Sequence, residues 1–436
     1  MDPRFTTTKD DPGTREAVAG GGTPPAPPVP PTPPAPPVPP VPPARPASAA
    51  PPAPPGQSRS PGPSHRSGPS ALPAPVARPS VRKPLPPRLF AVHGTNAETR
   101  WEALREVDYL TPDHLFFVRN HTATPLIDAA SWRLTFWGGG LRRGPVAFTY
   151  RDLLGMPAEE VTAFIECAGN GRRLYGEQQN QQVSGTPWRL GAVGVARWRG
   201  VRLATLLERA GMSDRAVALM PRGLDADYVE AGENLGRVRR PLPVDKALDD
   251  VLVAYEMNGR PLPPDHGHPA RLVVPGWVGA ASIKWLGDVE VSAEPLESPW
   301  SARLYRMHGP GHPPGGGPPL TRVGVKSAFE LPWPARLEAG REHLLRGRSW
   351  SGGGRVVRVE VSDDEGVSWR PARLRDDRDP RGWVRWVFPW TPHGAGNLRL
   401  LVRAADETGA AQPLRAAYNA LGYAFDAVVR HPVVVT

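Results

Sequence analysis

Cysteine is almost missing from these 436 residues, and Cys167 is the only one. That excludes intramolecular disulfides and any multi-cysteine zinc or iron–sulfur site, and it leaves the redox compartment open. Long apolar runs are missing too: no stretch approaches the ~18 residues a membrane-spanning helix needs. The opening MDPRFTTTKDDPGTREAVAG has neither an apolar core nor the paired arginines of an export signal. The chain therefore reads as cytoplasmic, and a mis-assigned start would make it exported. No basic-aromatic module accompanies the net charge of +10, because acidic residues are interleaved with the arginines throughout. This speaks against a nucleic-acid partner, and an anionic substrate accounts for part of the excess.

Proline, by contrast, is abundant, at 58 residues. Residues 1–85 are dominated by Pro, Ala, Gly and Ser, as in PPAPPVPPTPPAPPVPPVPPARP. Such a segment lacks the apolar side chains to offset the entropy of ordering, so it is expected to be a disordered tail with polyproline II character. It reads as a tether or as a ligand for a proline-recognising domain.

Residues 86–307 alternate in a way that predicts mostly strands and few helices, an α+β arrangement rather than a doubly wound sheet. Strands are expected at Asp113–Val118, Ser131–Phe136, Val161–Ile165, Val217–Met220 and Val251–Glu256, the last running into an Asn258-Gly259 hairpin turn. Helices are expected at Phe148–Leu154, with Thr149 as N-cap, and at Val201–Ala210, closed by Gly211. A polar loop is expected from Glu177 to Gln182. The stretch HGPGHPPGGGPP, residues 308–319, reads as a linker. Beyond it, residues 320–436 show short strands and regularly spaced turns, which predicts an all-β immunoglobulin-like sandwich.

Three stretches carry chemistry. In FIECAGNGRR, Cys167 closes an apolar strand and precedes a glycine-containing turn and two arginines, Arg172 and Arg173. It reads either as a small buried hydrophobe or as a soft thiolate ligand beside backbone that a bulky group can approach. FFVRNH ends at His121, and HGHPARLVVPGWVGAASIKWLG runs from His266 to Gly287. Taken singly, His266 and His268 are loop histidines or a two-ligand metal pair, Asp225 is a turn residue, and Lys284 is a solvated charge. Trp188 and Tyr305 are packing or pocket-lining groups on equal terms.

Taken together, CAGNGRR, FFVRNH and the HGHPAR and SIK segments resemble the sulfite oxidase family over roughly residues 86–436; Arg271 and Ser282 keep the family's spacing of 11 positions. The resemblance implies a mostly-β molybdopterin-binding domain followed by an immunoglobulin-like dimerisation domain. It implies a Mo-molybdopterin cofactor whose metal is bound by Cys167. Phe117, Val118, Arg119, Asn120, His121, Asp225, His266, Arg271, Ser282, Ile283 and Lys284 would hold the rest of that cofactor. Arg119 and Arg172 would grip a small oxyanion, Trp188 would line its pocket, and Tyr305 would contact it. The family has a further arginine from its C-terminal domain, where this chain has Leu421 in YNALG.

The implied reaction is oxygen-atom transfer, with sulfite oxidised to sulfate by a homodimer. No His-Pro-Gly-Gly haem motif is present, so electrons would pass to a separate acceptor such as a cytochrome c. Two alternatives stand beside this reading: a molybdenum-dependent reductase of nitrate or an S- or N-oxide, and a non-catalytic binding protein that uses the tail and the sandwich.

Overall fold

Alternation decides how the strand before Cys167 is used. In Glu159–Glu166 the side chains of Val161, Ala163 and Ile165 join one apolar core with Phe116, Phe117 and Trp198, while Phe164 joins another. This is the period-2 geometry of a strand buried on both faces. The strand pairs antiparallel with Val193–Arg202 in unbroken register, and the Cys167 N–H extends the ladder by one bond, to the Ala192 carbonyl at 2.9 Å.

The computed structural model describes residues 80–375 and 379–436, which belong to one compact unit. The Cys167 strand is the edge of a sheet ordered Arg260–Pro261, Leu252–Met257, Val193–Arg202, Glu159–Glu166, with Arg271–Val273 also paired to Leu252–Met257. A second five-stranded sheet runs Leu242–Pro243, Ala218–Gly223, Leu286–Ser292, Arg133–Trp137, Val146–Thr149. The amphipathic helix Leu203–Ala210 buries Leu203, Leu206, Leu207 and Ala210 in the core that this sheet shares. Residues 326–435 form two further sheets, of four and five strands, whose facing side chains make a separate core. The mostly-β, α+β expectation and the C-terminal sandwich both hold.

Local signals worked where their partners were local. Thr149 accepts from the Asp152 N–H and the Asp152 carboxylate accepts from the Thr149 N–H, a reciprocal cap on Tyr150–Leu154. Asn258 and Gly259 both take left-handed backbone, at φ 53° and 79°, as a tight hairpin requires.

Three expectations need correction. Asp113–Val118 is a turn, in which the Leu115 and Phe116 N–H groups both donate to the Pro112 carbonyl; only Val118 makes a bridge, to Ala97. Burial of two adjacent phenylalanines produced a strand-like apolar run without a ladder. Helix, not loop, occupies much of Glu177–Gln182, because Arg172–Gln179 is helical and buries Leu174 and Tyr175. Finally, the tail boundary at residue 85 is too late. Residues 1–79 lie outside the described residues, but Val81 is buried, and the Asp265 carboxylate accepts from the N–H groups of Arg82 (2.9 and 3.0 Å) and Lys83 (2.7 Å). Composition sees no partner 183 positions away.

Candidate active site

A cleft opens where the end of the Cys167 strand meets the loops Phe117–His121, Asp265–Arg271 and Gly279–Trp285. Cys167, Arg119, His121, Asp225 and Tyr305 line it together. The cysteine is only 7% exposed. Two non-glycine residues at its wall, Trp285 (φ 51°) and Tyr305 (φ 53°), hold left-handed backbone. Strain of this kind, on the order of 1–3 kcal/mol each, persists where surrounding contacts over-determine a functional geometry.

Positive charge is concentrated here. Arg271 donates Nη1 to the His266 carbonyl and Nη2 to the Ser282 carbonyl, both at 3.0 Å, and lies 5.1 Å from the Trp198 ring centroid. Lys284 donates Nζ to the Asp265 carbonyl (2.7 Å) and to the Asn120 side chain, over the Trp285 ring. Both cations bond to neutral acceptors, so burial dominates. It pushes Arg271 down to about 9 and Lys284 well below the usual lysine range. Burial, with Lys83, Lys284 and Arg271 nearby, also holds His266 neutral. Burial costs Arg119 its hydration too, yet Tyr305, Cys167, Tyr423 and Tyr228 around it hold its pKa above the ordinary value.

Asp225 is the negative counterpart. It is 2% exposed, and neither carboxylate oxygen has a well-formed hydrogen bond. Burial raises its pKa to about 6, offset in part by the looser approach of its own N–H and that of Val238. At the other end the Tyr305 hydroxyl lies 3.0 Å from His121 Nε2. Burial and the Arg119 charge keep that imidazole neutral, and burial raises Tyr305 above the ordinary phenol value.

These groups suit a large, mixed-polarity ligand. Buried cations without carboxylate partners could hold a phosphate, an orphaned buried carboxylate could take N–H donors, and a thiol at the far end could take a soft metal. Among the described residues no cluster of three or more His, Cys, Asp or Glu side chains could hold a metal ion.

Most predicted positions converge on the cleft: Phe117, Arg119, Asn120, His121, Cys167, Asp225, His266, Arg271, Ser282, Ile283, Lys284 and Tyr305 all line it. Three do not. Val118 packs away from it with Val81, Phe90 and Ala97. Trp188 is fully buried behind Cys167, edge-on to His93 at 5.6 Å, with its indole N–H unpartnered. Arg172 sits one layer out, donating to the Leu421 carbonyl (2.8 Å) and the Thr186 carbonyl (2.9 Å) beneath the Tyr423 ring. Room for it exists because Gly422 (φ 61°) has no Cβ; one there would lie 2.5 Å from Arg172 Cγ.

Sequence reasoning missed Asp265 and Lys83. Asp265 accepts from Thr124 (2.5 Å) and from the 82–83 backbone, and Lys83 reaches within 3.4 Å of His266 Nε2. Asp265 adjoins the HGH motif and could have been found there, whereas Lys83 stands in proline-rich sequence with no local signal.

Comparison with known proteins places this geometry. Residues 121–300 match the oxidoreductase molybdopterin binding domain, and residues 318–435 match the Mo-co oxidoreductase dimerisation domain. The chain is 38% identical to sulfite oxidase of Gallus gallus over 335 residues, 73% of this chain and 71% of that protein. The chain belongs to the sulfite oxidase family. It is 37% identical to mitochondrial sulfite oxidase of Homo sapiens over 336 residues, and there it spans 60% of the relative's length. The sulfane dehydrogenase SoxCD of Paracoccus pantotrophus superposes with a TM-score of 0.66 at 31% identity, covering 76% of this chain and 82% of that one. A Mo-molybdopterin cofactor goes with the sulfite oxidase family, and the residues of this cleft fit one. No helix among the described residues is long and apolar enough to cross a membrane.

Proposed function

We propose that this chain oxidises sulfite to sulfate with Mo-molybdopterin, passing electrons to a separate acceptor such as a cytochrome c. One observation carries the reading: the sole cysteine shares one end of a cation-lined cleft with Arg119 and the Tyr305–His121 pair. Cys167 would bind the metal, while Arg271, Lys284, His266 and the orphaned Asp225 would hold the pterin and its phosphate. When bound, the cofactor supplies oxygen-atom transfer and accepts two electrons.

The chain's own residues bring the substrate in. Arg119 attracts the oxyanion and orients it through its planar guanidinium. In the tautomer that carries its proton on Nε2, neutral His121 would donate to the Tyr305 oxygen and so free the phenol O–H for a sulfite oxygen. The raised Tyr305 pKa keeps that proton in place. Overall, sulfite and water give sulfate, two protons and two electrons. The working assembly is a homodimer through residues 318–435, the region of the dimerisation-domain match.

The test is direct. Purified full-length protein should contain about one molybdenum per chain, reduce ferricyanide with sulfite, and show twice the 47.1 kDa chain mass by light scattering. Cys167→Ser should abolish turnover with the circular dichroism spectrum intact, because a hydroxyl does not replace thiolate donation to the metal. Turnover of nitrate with reduced viologen, and none of sulfite, would move the assignment to a reductase.

A further inference from the structure

Arg240 is a buried cation that the proposed mechanism does not use. It is 3% exposed, and among the described residues no carboxylate pairs with it. Nη2 donates to the Leu320 carbonyl, while Nη1 is buried with no partner. Burial pushes its pKa down to about 10, and the groups that oppose this are the phenols of Tyr305 and Tyr423. An unpaired buried charge is costly to a fold unless the charge itself has a use.

Its surroundings indicate that use. The guanidinium lies 5.7 Å from the centroid of the Tyr305 ring, which stacks on Tyr423 at 5.2 Å with 19° between planes. Arg172 lies 5.1 Å from the Tyr423 centroid on its own account. Each tyrosine of the stacked pair thus has an arginine over its ring, and Tyr305 lines the cleft beside Cys167 and Arg119. Leu421, two residues before Tyr423, packs in the same cluster and brings no charge.

We infer that Arg240 is a specificity-determining residue, which acts through Tyr305 to supply positive potential to the oxyanion end of the cleft and so favours doubly over singly charged anions. It does not line the cleft, so its effect falls on binding rather than on the chemical step. In low-dielectric surroundings a charge one ring away still acts on the ligand, and its contribution scales with ligand charge.

The inference rests on the oxyanion-oxidase reading, and its test separates the two. Wild type, R240M and R240K are purified as holoenzymes and titrated calorimetrically with sulfate and with nitrate; sulfite turnover and melting temperature are measured in parallel. R240M should bind sulfate about tenfold more weakly and nitrate about threefold more weakly, because the effect on a dianion is the square of that on a monoanion. KM for sulfite should rise as sulfate affinity falls, with kcat within about twofold of wild type. R240K should stay near wild type, and R240M should melt no lower, since an unpaired buried charge has been removed. Equal losses for the two anions would overturn the inference and mark a packing role, as would a lowered melting temperature shared by both variants. Unchanged sulfate binding in R240M, or no sulfate binding in wild type, would also overturn it. Were wild type inactive with sulfite while the titrations followed the expected pattern, the proposed reaction would fall and the role of Arg240 would stand.

Discussion

Asp225 shows how a single side chain in this cleft works against its own fold. Its carboxylate is buried without a well-formed hydrogen bond, and its pKa is raised from an ordinary 3.8 to about 6. A carboxylic acid whose folded pKa exceeds its unfolded value costs stability wherever it is ionised. The cost is absent below about pH 4, grows as pH rises through 6, and is complete above that. For a shift of this size it comes to about 3 kcal/mol. Asp225→Asn should therefore stabilise the cofactor-free protein against urea at pH 7.5 and change nothing at pH 4. The same substitution should lower molybdenum content, because the uncharged amide accepts cofactor N–H groups less strongly. Equal effects at both pH values would show that Asp225 is not the strained acid described here. Lysine use makes a related point: of five lysines in the chain, Lys83 and Lys284 are spent at this site and Lys326 in a buried pair.

At the scale of the element, the Cys167 strand serves two sides at once. Because side chains alternate, Glu166 points away from the cleft that Cys167 faces. It is 1% exposed and meets Lys326 Nζ at 2.6 Å, Trp350 Nε1 at 2.9 Å and Asn170 Nδ2 at 2.8 Å. Lys326 and Trp350 belong to paired strands of the sandwich, Lys326–Phe329 and His343–Trp350. Asn170 closes the loop, its N–H donating to the Cys167 carbonyl at 2.9 Å. The cysteine turn is thus tied to the second half of the molecule by a fully satisfied buried network. Lys326→Met should cost about 3 kcal/mol in urea unfolding, since it strands the Glu166 charge, and Glu166→Leu with Lys326→Met together should recover most of it. A single variant as stable as wild type would remove the network from the account.

Across the whole molecule, one apolar cluster joins residues on both sides of 308–319. Trp101, Tyr109, Phe164 and Tyr175 share one apolar cluster with Trp350, Trp383 and Phe425. Arg348, fully buried, donates to Glu330 (2.6 Å) and to the carbonyls of Leu104 (3.0 Å) and Val107 (2.9 Å). Such contacts leave neither half able to open without exposing the other's core. Calorimetry of the cofactor-free chain should accordingly show one cooperative transition. Two well-separated transitions would mean the halves are energetically independent.

What the sequence determined by itself was the chemistry available and the local structure. One thiol, a set of cations, reciprocal capping at Thr149 and the Asn-Gly turn all follow from residues a few positions apart. Tertiary structure alone decided which of those groups meet. Lys83 and Asp265, Glu166 and Lys326, and Arg240 and Tyr305 are brought together by packing across 65 to 182 positions. The same packing turned Val118, Trp188 and Arg172 out of the cleft lining. Short-range propensity reads torsions and periodicity, whereas burial and charge compensation depend on neighbours that only the folded chain supplies.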